Sequence, residues 1–175
     1  MIKRLIFKIK LLIAPANKLG QLFASYYGFK LGRNSRFTGT DIRFGSEPFL
    51  IEIGDNVTIT SDVSFQTHDG GVGILRKDYP GINVFGRIKV GTNVFIGEGA
   101  MIMYNVIIGD NVVIGARSVV TKSIPSNSVA VGSPARVIKT LEEYKESALS
   151  KAVFIRSKGE DRVMEILKAM SEKNN

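Results

Sequence analysis

The chain has 175 residues, enough for one domain with a core to bury. A hydrophobic content of 44% and a mean hydropathy of +0.09 exclude both a disordered chain and a polytopic membrane protein. Cysteine is absent, which removes disulfide frameworks, thiolate metal sites and a cysteine nucleophile together. The net charge of +8 comes from residues 1–40, which carry eight Lys/Arg and no acid, whereas residues 41–175 carry sixteen of each sign. That is a basic arm on a neutral body, not the basic face of a nucleic-acid-binding domain.

In the arm, Ile2, Leu5, Ile6, Ile9, Leu12 and Ile13 recur at helical spacing, with Lys3, Arg4, Lys8 and Lys10 between them, and Pro15 ends the helix. A basic amphipathic helix suits an anionic membrane surface; the same apolar face also suits covering the open end or side of whatever fold follows. Lys8 and Lys10 interrupt the apolar run that a signal peptide needs, and no stretch is long enough to span a bilayer. Residues 1–30 are therefore expected to form a helical segment of a cytoplasmic protein that touches, at most, the inner face of the membrane.

From residue 31 the sequence acquires a six-residue period. Val90, Ile96, Ile102, Ile108, Ile114 and Val120 are one period apart, and four residues after each stands Val94, Ala100, Val106, Val112, Ser118 or Ile124. The register also occurs upstream as Ile53-Gly54, Ile59 and Phe65, with Val57 and Val63, and faintly at Leu31-Gly32 with Ser35. Six fits neither an α-helix nor a hairpin meander. It fits short parallel strands that each form one side of a triangular coil, inward aliphatic residues stacking from coil to coil. Glycine, Asp and Asn, as in Gly54-Asp55-Asn56 and Gly109-Asp110-Asn111, are expected at corners that need left-handed backbone angles. Residues 31–139 thus read as a parallel β-helix, an all-β body.

The period breaks once. Val90 follows Phe65 by twenty-five positions, one more than four repeats take, and residues of about 66–89 read as a loop leaving the coil. His68, the single histidine of the chain, stands where the loop departs. A histidine titrates near neutral pH and is the usual general base, and loops on a rigid scaffold carry function. Asp69 could orient it, or could instead form the turn before Gly70-Gly71. Past the coil, Thr140-Leu141-Glu142-Glu143 has the pattern of a helix-starting capping box. Gly159 divides the helical region 140–175, and Val163, Met164, Ile166, Leu167 and Met170 make a stripe fit to cover the last coil or meet a neighbouring subunit.

Gln66-Thr67-His68-Asp69-Gly70, Ile96-Gly97-Glu98-Gly99-Ala100, Val113 to Lys122 and Val131-Gly132-Ser133-Pro134-Ala135-Arg136-Val137-Ile138 resemble the hexapeptide-repeat acyltransferases. The nearest likeness is to maltose/galactoside-type and capsule or lipopolysaccharide O-acetyltransferases. The resemblance implies a left-handed coil, a homotrimer with active sites between subunits, acetyl-CoA as co-substrate without a required metal, and a sugar or polysaccharide precursor as acceptor. It also implies that His68 takes the acceptor hydroxyl proton during direct transfer. Backbone amides near Gly97, Glu98 and Gly99 would then lie beside the thioester. Ala116, Thr121, Lys122 and Arg136 match positions that contact the pantetheine arm or the nucleotide phosphates, with Ser133 and Lys139 as further candidates. For Lys122 and Arg136 the bland alternative is solvated surface charge. Phe95 stands where a Trp often lies near the coenzyme groove, and the stretch from Thr38 to Glu47 has no aligned counterpart. Within that stretch Asp41, Arg43 and Glu47 are candidate sugar contacts.

Three other functions compete. A γ-class carbonic anhydrase needs three zinc-binding histidines and is excluded by the single His68. N-acetylation of an amino sugar nucleotide would use the same base and donor. A non-catalytic scaffold would keep the coil without the chemistry. Nucleic-acid binding and nucleotide-loop motifs have no support, because the glycines at 70, 71 and 73 lack the following Gly-Lys-Ser/Thr.

Overall fold

The computed structural model describes residues 2–173; Met1, Asn174 and Asn175, which end the two terminal segments, lie outside the described residues. Contacts divide the chain into one unit ending at Leu141 and a second beginning at Glu142. The first unit holds helices α1 (Ile2–Ile13) and α2 (Ala16–Tyr27) and a parallel coil with three faces. Labels below run in chain order.

One face consists of β1 (Lys30–Leu31), β3 (Ile51–Ile53), β6 (Ile88–Val90) and β9 (Val106–Ile108). The second stacks β2 (Arg36–Phe37), β4 (Thr58–Ile59), β7 (Val94–Ile96), β10 (Val112–Ile114) and β12 (Ser128–Gly132). The third is β5 (Ser64–Phe65), β8 (Met101–Ile102) and β11 (Val119–Val120). In a complete coil, position i pairs with i+18, as Val94 does with Val112 and Ile88 with Val106. Both inward sets anticipated from the period are buried: Val90, Ile96, Ile102, Ile108, Ile114 and Val120 are at most 1% exposed, and Val94, Ala100, Val106, Val112 and Ser118 at most 2%. Fully burying an aliphatic side chain of this size stabilises by roughly 1.5–3 kcal/mol, so the stacked column supplies most of what holds the coil together.

The corners differ from expectation in one respect. The left-handed angle does not fall on the glycine after each inward residue but on the third position, at Asn56, Asn93, Asn111 and Asn127, with φ between 56° and 59°. There Asn93 Nδ2 donates to Asn111 Oδ1 and Asn111 Nδ2 to Asn127 Oδ1, at 2.8 and 3.0 Å, forming an amide ladder up one corner. The glycine is needed for closeness instead: a Cβ on Gly97 would lie 2.5 Å from the Ala116 nitrogen of the next coil.

Two departures from the eighteen-residue coil shape the molecule. Lys30 pairs with Glu52 and Arg36 with Thr58, twenty-two residues apart, so four extra residues bulge out between Phe37 and Ile51. Ile51 pairs with Ile88 and Ser64 with Met101, thirty-seven residues apart, so nineteen extra residues leave as the long loop. The loop base is pinned by antiparallel pairing of His68 with Phe85, where the Asp69 amide donates to Val84 O and the Gly86 amide to Thr67 O, each at 2.9 Å.

The first coil is sealed by α2, which lays Phe23 on Phe37 and Phe44 at centroid distances of 5.8 and 5.5 Å; Phe29, Phe37, Phe44 and Phe65 continue the aromatic stack inside. Gly28 stops α2 with φ 81°, its amide bonded to Ala24 O. Helix α1 packs on α2 through Phe7, stacked 3.8 Å from Tyr26. At the other end, β13 (Ala135–Thr140) folds back antiparallel along β12 and occupies that strand edge.

The second unit contains α3 (Leu141–Leu149, which begins in the first unit's last residue) and α4 (Gly159–Lys173). Gly159 opens α4 with φ 62° instead of dividing a helix. In the single chain Val163, Met164, Leu167 and Met170 of the expected covering stripe are exposed.

Candidate active site

The four-residue bulge and the long loop meet. The bulge carries Glu47 to His68, whose Nδ1 lies 2.8 Å from Glu47 Oε2. Thr67, fully buried, donates its hydroxyl to the same oxygen at 2.8 Å. Partial burial pushes the Glu47 carboxyl up, but the hydrogen bonds from Thr67 and His68 and the His68 charge outweigh it, and the net shift is downward. The carboxylate is ionised at neutral pH and can only accept, so a neutral His68 carries its proton on Nδ1 and keeps the lone pair on Nε2. The ring of Phe85 meets the imidazole edge-on at 6.4 Å.

Asp69 has other work. Its Oδ1 accepts from the Gly71 amide at 2.8 Å and caps the helical turn Gly70–Leu75, and its Oδ2 accepts from the Tyr104 hydroxyl at 3.3 Å. The Asp69 charge, with burial and that hydrogen bond, raises the Tyr104 phenol above its ordinary value and keeps it a donor. The orienting carboxylate of His68 is thus Glu47, expected as a sugar contact, while Asp69 serves the turn that was the alternative reading. The pair borders a hollow of about 370 Å³ whose walls include Ser46, Glu47, His68, Asp69, Arg76 and Phe85.

Of the other upstream candidates, Arg43 is turned to an ion pair with Asp62 at 2.8 Å. Asp41 is exposed and is not among the residues around the hollow.

The candidate donor residues border one face of the coil, that of β5, β8 and β11. Coil-to-coil bonds from Gly97 N to Ile114 O and from Gly115 N to Ala130 O stack three segments along the corner before that face. These are Gly97-Glu98-Gly99, then Ala116, then the turn with Ser133. Bonds from Gln66 N to Ile102 O and from Met103 N to Val120 O place Thr121 and Lys122 along the corner after it, two coils from His68. Gly97 and Gly99 spend their amides on Ile114 O and Ser61 O, which leaves Glu98 as the amide of the three without such a bond among the described residues. Thr121, Lys122, Ser133 and Arg136 are exposed, and Lys139 pairs in register with Val129 between β13 and β12. Phe95 points outward from β7 on the second face. No group of three or more metal-ligating side chains occurs among the described residues.

Glu47 as the histidine's partner was not foreseen. Its signal was the spacing from Leu31 to Ile53, four residues too long for one coil, which marks an insertion ending at Gly45-Ser46-Glu47.

Comparison with known proteins finds the same repeat. The model of the family described as bacterial transferase hexapeptide (six repeats) matches residues 87–122. The chain is 46% identical over 128 residues to "Protein CapG" of Staphylococcus aureus, covering 73% of this chain and 74% of that protein. A maltose O-acetyltransferase from Clostridium difficile 630 is 30% identical with a TM-score of 0.54, covering 79% of this chain and 86% of the other. A galactoside acetyltransferase in complex with coenzyme A is 30% identical with a TM-score of 0.57, covering 82% and 83%. The chain belongs to the bacterial hexapeptide-repeat transferases and is an acetyltransferase of that family.

Proposed function

We propose that this enzyme transfers the acetyl group of acetyl-CoA to a sugar hydroxyl in surface polysaccharide biosynthesis, with His68 as general base. The observation that carries the reading is the Thr67–Glu47–His68 arrangement at the hollow, which leaves Nε2 the basic nitrogen. The acceptor hydroxyl gives its proton to Nε2 as its oxygen bonds to the thioester carbonyl carbon. The tetrahedral oxyanion then collapses, the C–S bond breaks, and the thiolate of coenzyme A leaves and takes the proton back from Nε2. Glu47 stabilises the imidazolium that forms between these steps. No covalent acyl-enzyme is needed, which accords with the absence of cysteine.

The donor lies along the β5–β8–β11 face of a left-handed coil. The Glu98 amide stands by the thioester, Ala116 and Thr121 by the pantetheine arm, and Lys122 and Arg136 by the phosphates, with Ser133 and Lys139 near the nucleotide. This face is completed by a second chain in a homotrimer. The comparisons with galactoside and maltose O-acetyltransferases support O-transfer over N-transfer.

Helix α1 has two apolar faces. One, with Phe7 and Leu11, packs on the body. The other leaves Ile2, Leu5, Ile9, Leu12 and Ile13 between 51% and 85% exposed, with Lys3 and Lys10 on one flank and Lys8 on the other. The outer face suits the anionic inner surface of a membrane, where a lipid-linked sugar would be presented. No helix among the described residues is long and apolar enough to cross a bilayer.

The test is thiol release from acetyl-CoA with a panel of sugars, amino sugars and lipid-linked oligosaccharides, the product linkage read by NMR. An acetyl ester on a sugar oxygen is expected. An acetamide product, or no release with any acceptor, overturns the reading.

A further inference from the structure

We infer that the acceptor carries an anionic group, a carboxylate or a phosphate, and that Arg76 binds it. This rests on the reading that the hollow beside His68 receives the acceptor. Asp69 caps the turn Gly70–Leu75, and Arg76 follows it directly in helical conformation, its amide bonded to Gly73 O at 3.3 Å. This brings the Arg76 side chain to the wall of the hollow that holds His68 and Glu47. Among the described residues its one side-chain hydrogen-bond partner is a weak one: Nη2 lies 3.4 Å from Asn83 Oδ1. Asn83 in turn donates Nδ2 to Gly81 O at 2.8 Å, which aims its oxygen at the guanidinium.

The charges around the hollow are otherwise settled. Glu47 is engaged by His68 and Thr67, and Asp69 by the Gly71 amide and the Tyr104 hydroxyl. Arg76 is the one Lys or Arg lining the hollow, and it forms no ion pair among the described residues. A guanidinium offers five N–H donors in a planar fork that matches the two oxygens of a carboxylate or phosphate. An uncharged sugar hydroxyl would use neither the charge nor the fork. A uronic acid residue and a sugar phosphate, including a nucleotide sugar, supply the same chemistry from two sources.

The experiment measures binding of methyl glucuronide, glucose 1-phosphate and methyl glucoside to the full chain by ligand-observed NMR, for the wild type, Arg76→Gln and Arg76→Lys. The wild type is expected to bind at least one anionic sugar about tenfold more tightly than the glucoside, as a charge-assisted pair would give. Arg76→Gln removes that preference without changing Tm, and Arg76→Lys restores part of it. The ligand whose affinity falls in Arg76→Gln identifies carboxylate or phosphate as the source. Equal binding of all three sugars, a preference that survives in Arg76→Gln, or no detectable binding of either anionic sugar overturns the inference. Thiol release measured alongside separates the two claims. Transfer to anionic acceptors unaffected by Arg76→Gln sinks the role of Arg76 alone. Anionic sugars bound through Arg76 without any release sink acetyl transfer alone.

Discussion

Replacing Glu47 by Gln isolates the charge behind His68. The amide keeps the shape, and its oxygen can still accept both from the Thr67 hydroxyl and from His68 Nδ1, the two bonds of 2.8 Å that the carboxylate now accepts. What disappears is the negative charge facing the imidazolium that forms as the hydroxyl proton is taken. A hydrogen bond to a charged group is worth about 1.5–3 kcal/mol and one between neutral groups about 0.5–1.5 kcal/mol. The loss is thus about 1–1.5 kcal/mol in the transition state, or about tenfold in kcat. With Glu47→Ala the ring loses its orienting partner as well, and the fall should reach about a hundredfold or more. Thiol release at saturating acetyl-CoA gives kcat, while KM for acetyl-CoA should stay near the wild-type value, because the hydrogen bonds of the Glu47 side chain go to Thr67 and His68 and to none of the candidate donor residues. A Glu47→Gln enzyme with unchanged kcat would refute the reasoning that this carboxylate supports the base.

Other outcomes follow from the same geometry. Glu47 is held below its ordinary carboxyl value of 4.5 in the folded chain, so its contribution to stability is fully present above pH 4.5 and is lost as pH falls through the lowered folded value. The Tm gap between wild type and Glu47→Gln should therefore narrow only in that acid range, and a gap independent of pH would contradict the assignment. Gly97→Ala pushes a Cβ against the next coil and should cost about 1–3 kcal/mol in thermal or denaturant unfolding. Gly73→Ala, with open space around its Cβ position, should be close to neutral, and equal effects of the two would contradict the close-approach role. Pairing Leu5→Ser with Leu12→Ser keeps the Phe7 face and should weaken sedimentation with phosphatidylglycerol-containing vesicles, whereas unchanged binding would remove α1 from the membrane.

The coil was legible because its inward positions obey one period: every aliphatic residue from Val90 to Val120 placed by that period is buried. His68 was legible for the complementary reason, since a single irregular segment stands out against a strict repeat. Its partner was not. Glu47 lies twenty-one residues earlier, and only the stacking register of the first coil on the second brings the two together. Asp69, adjacent in sequence, was the local guess, but an Asp just before a tight turn is drawn to the free amides of that turn, here Gly71. The glycines were located correctly and explained incompletely, because a sequence does not distinguish positive φ from the approach of a neighbouring backbone. The second apolar face of α1 was hidden in the same way: Phe7 and Leu11 stand outside the helical stripe read between Ile2 and Ile13, and only their packing on the core shows that they, not Leu5, Ile9 and Leu12, form the inner face.

The most direct test of the central claim is His68→Ala, assayed for acetyl transfer alongside equilibrium binding of coenzyme A. Loss of the general base should lower turnover by about 10²–10⁴-fold while coenzyme A affinity and Tm remain near wild type. Turnover that persists at the wild-type rate would contradict a mechanism built on His68.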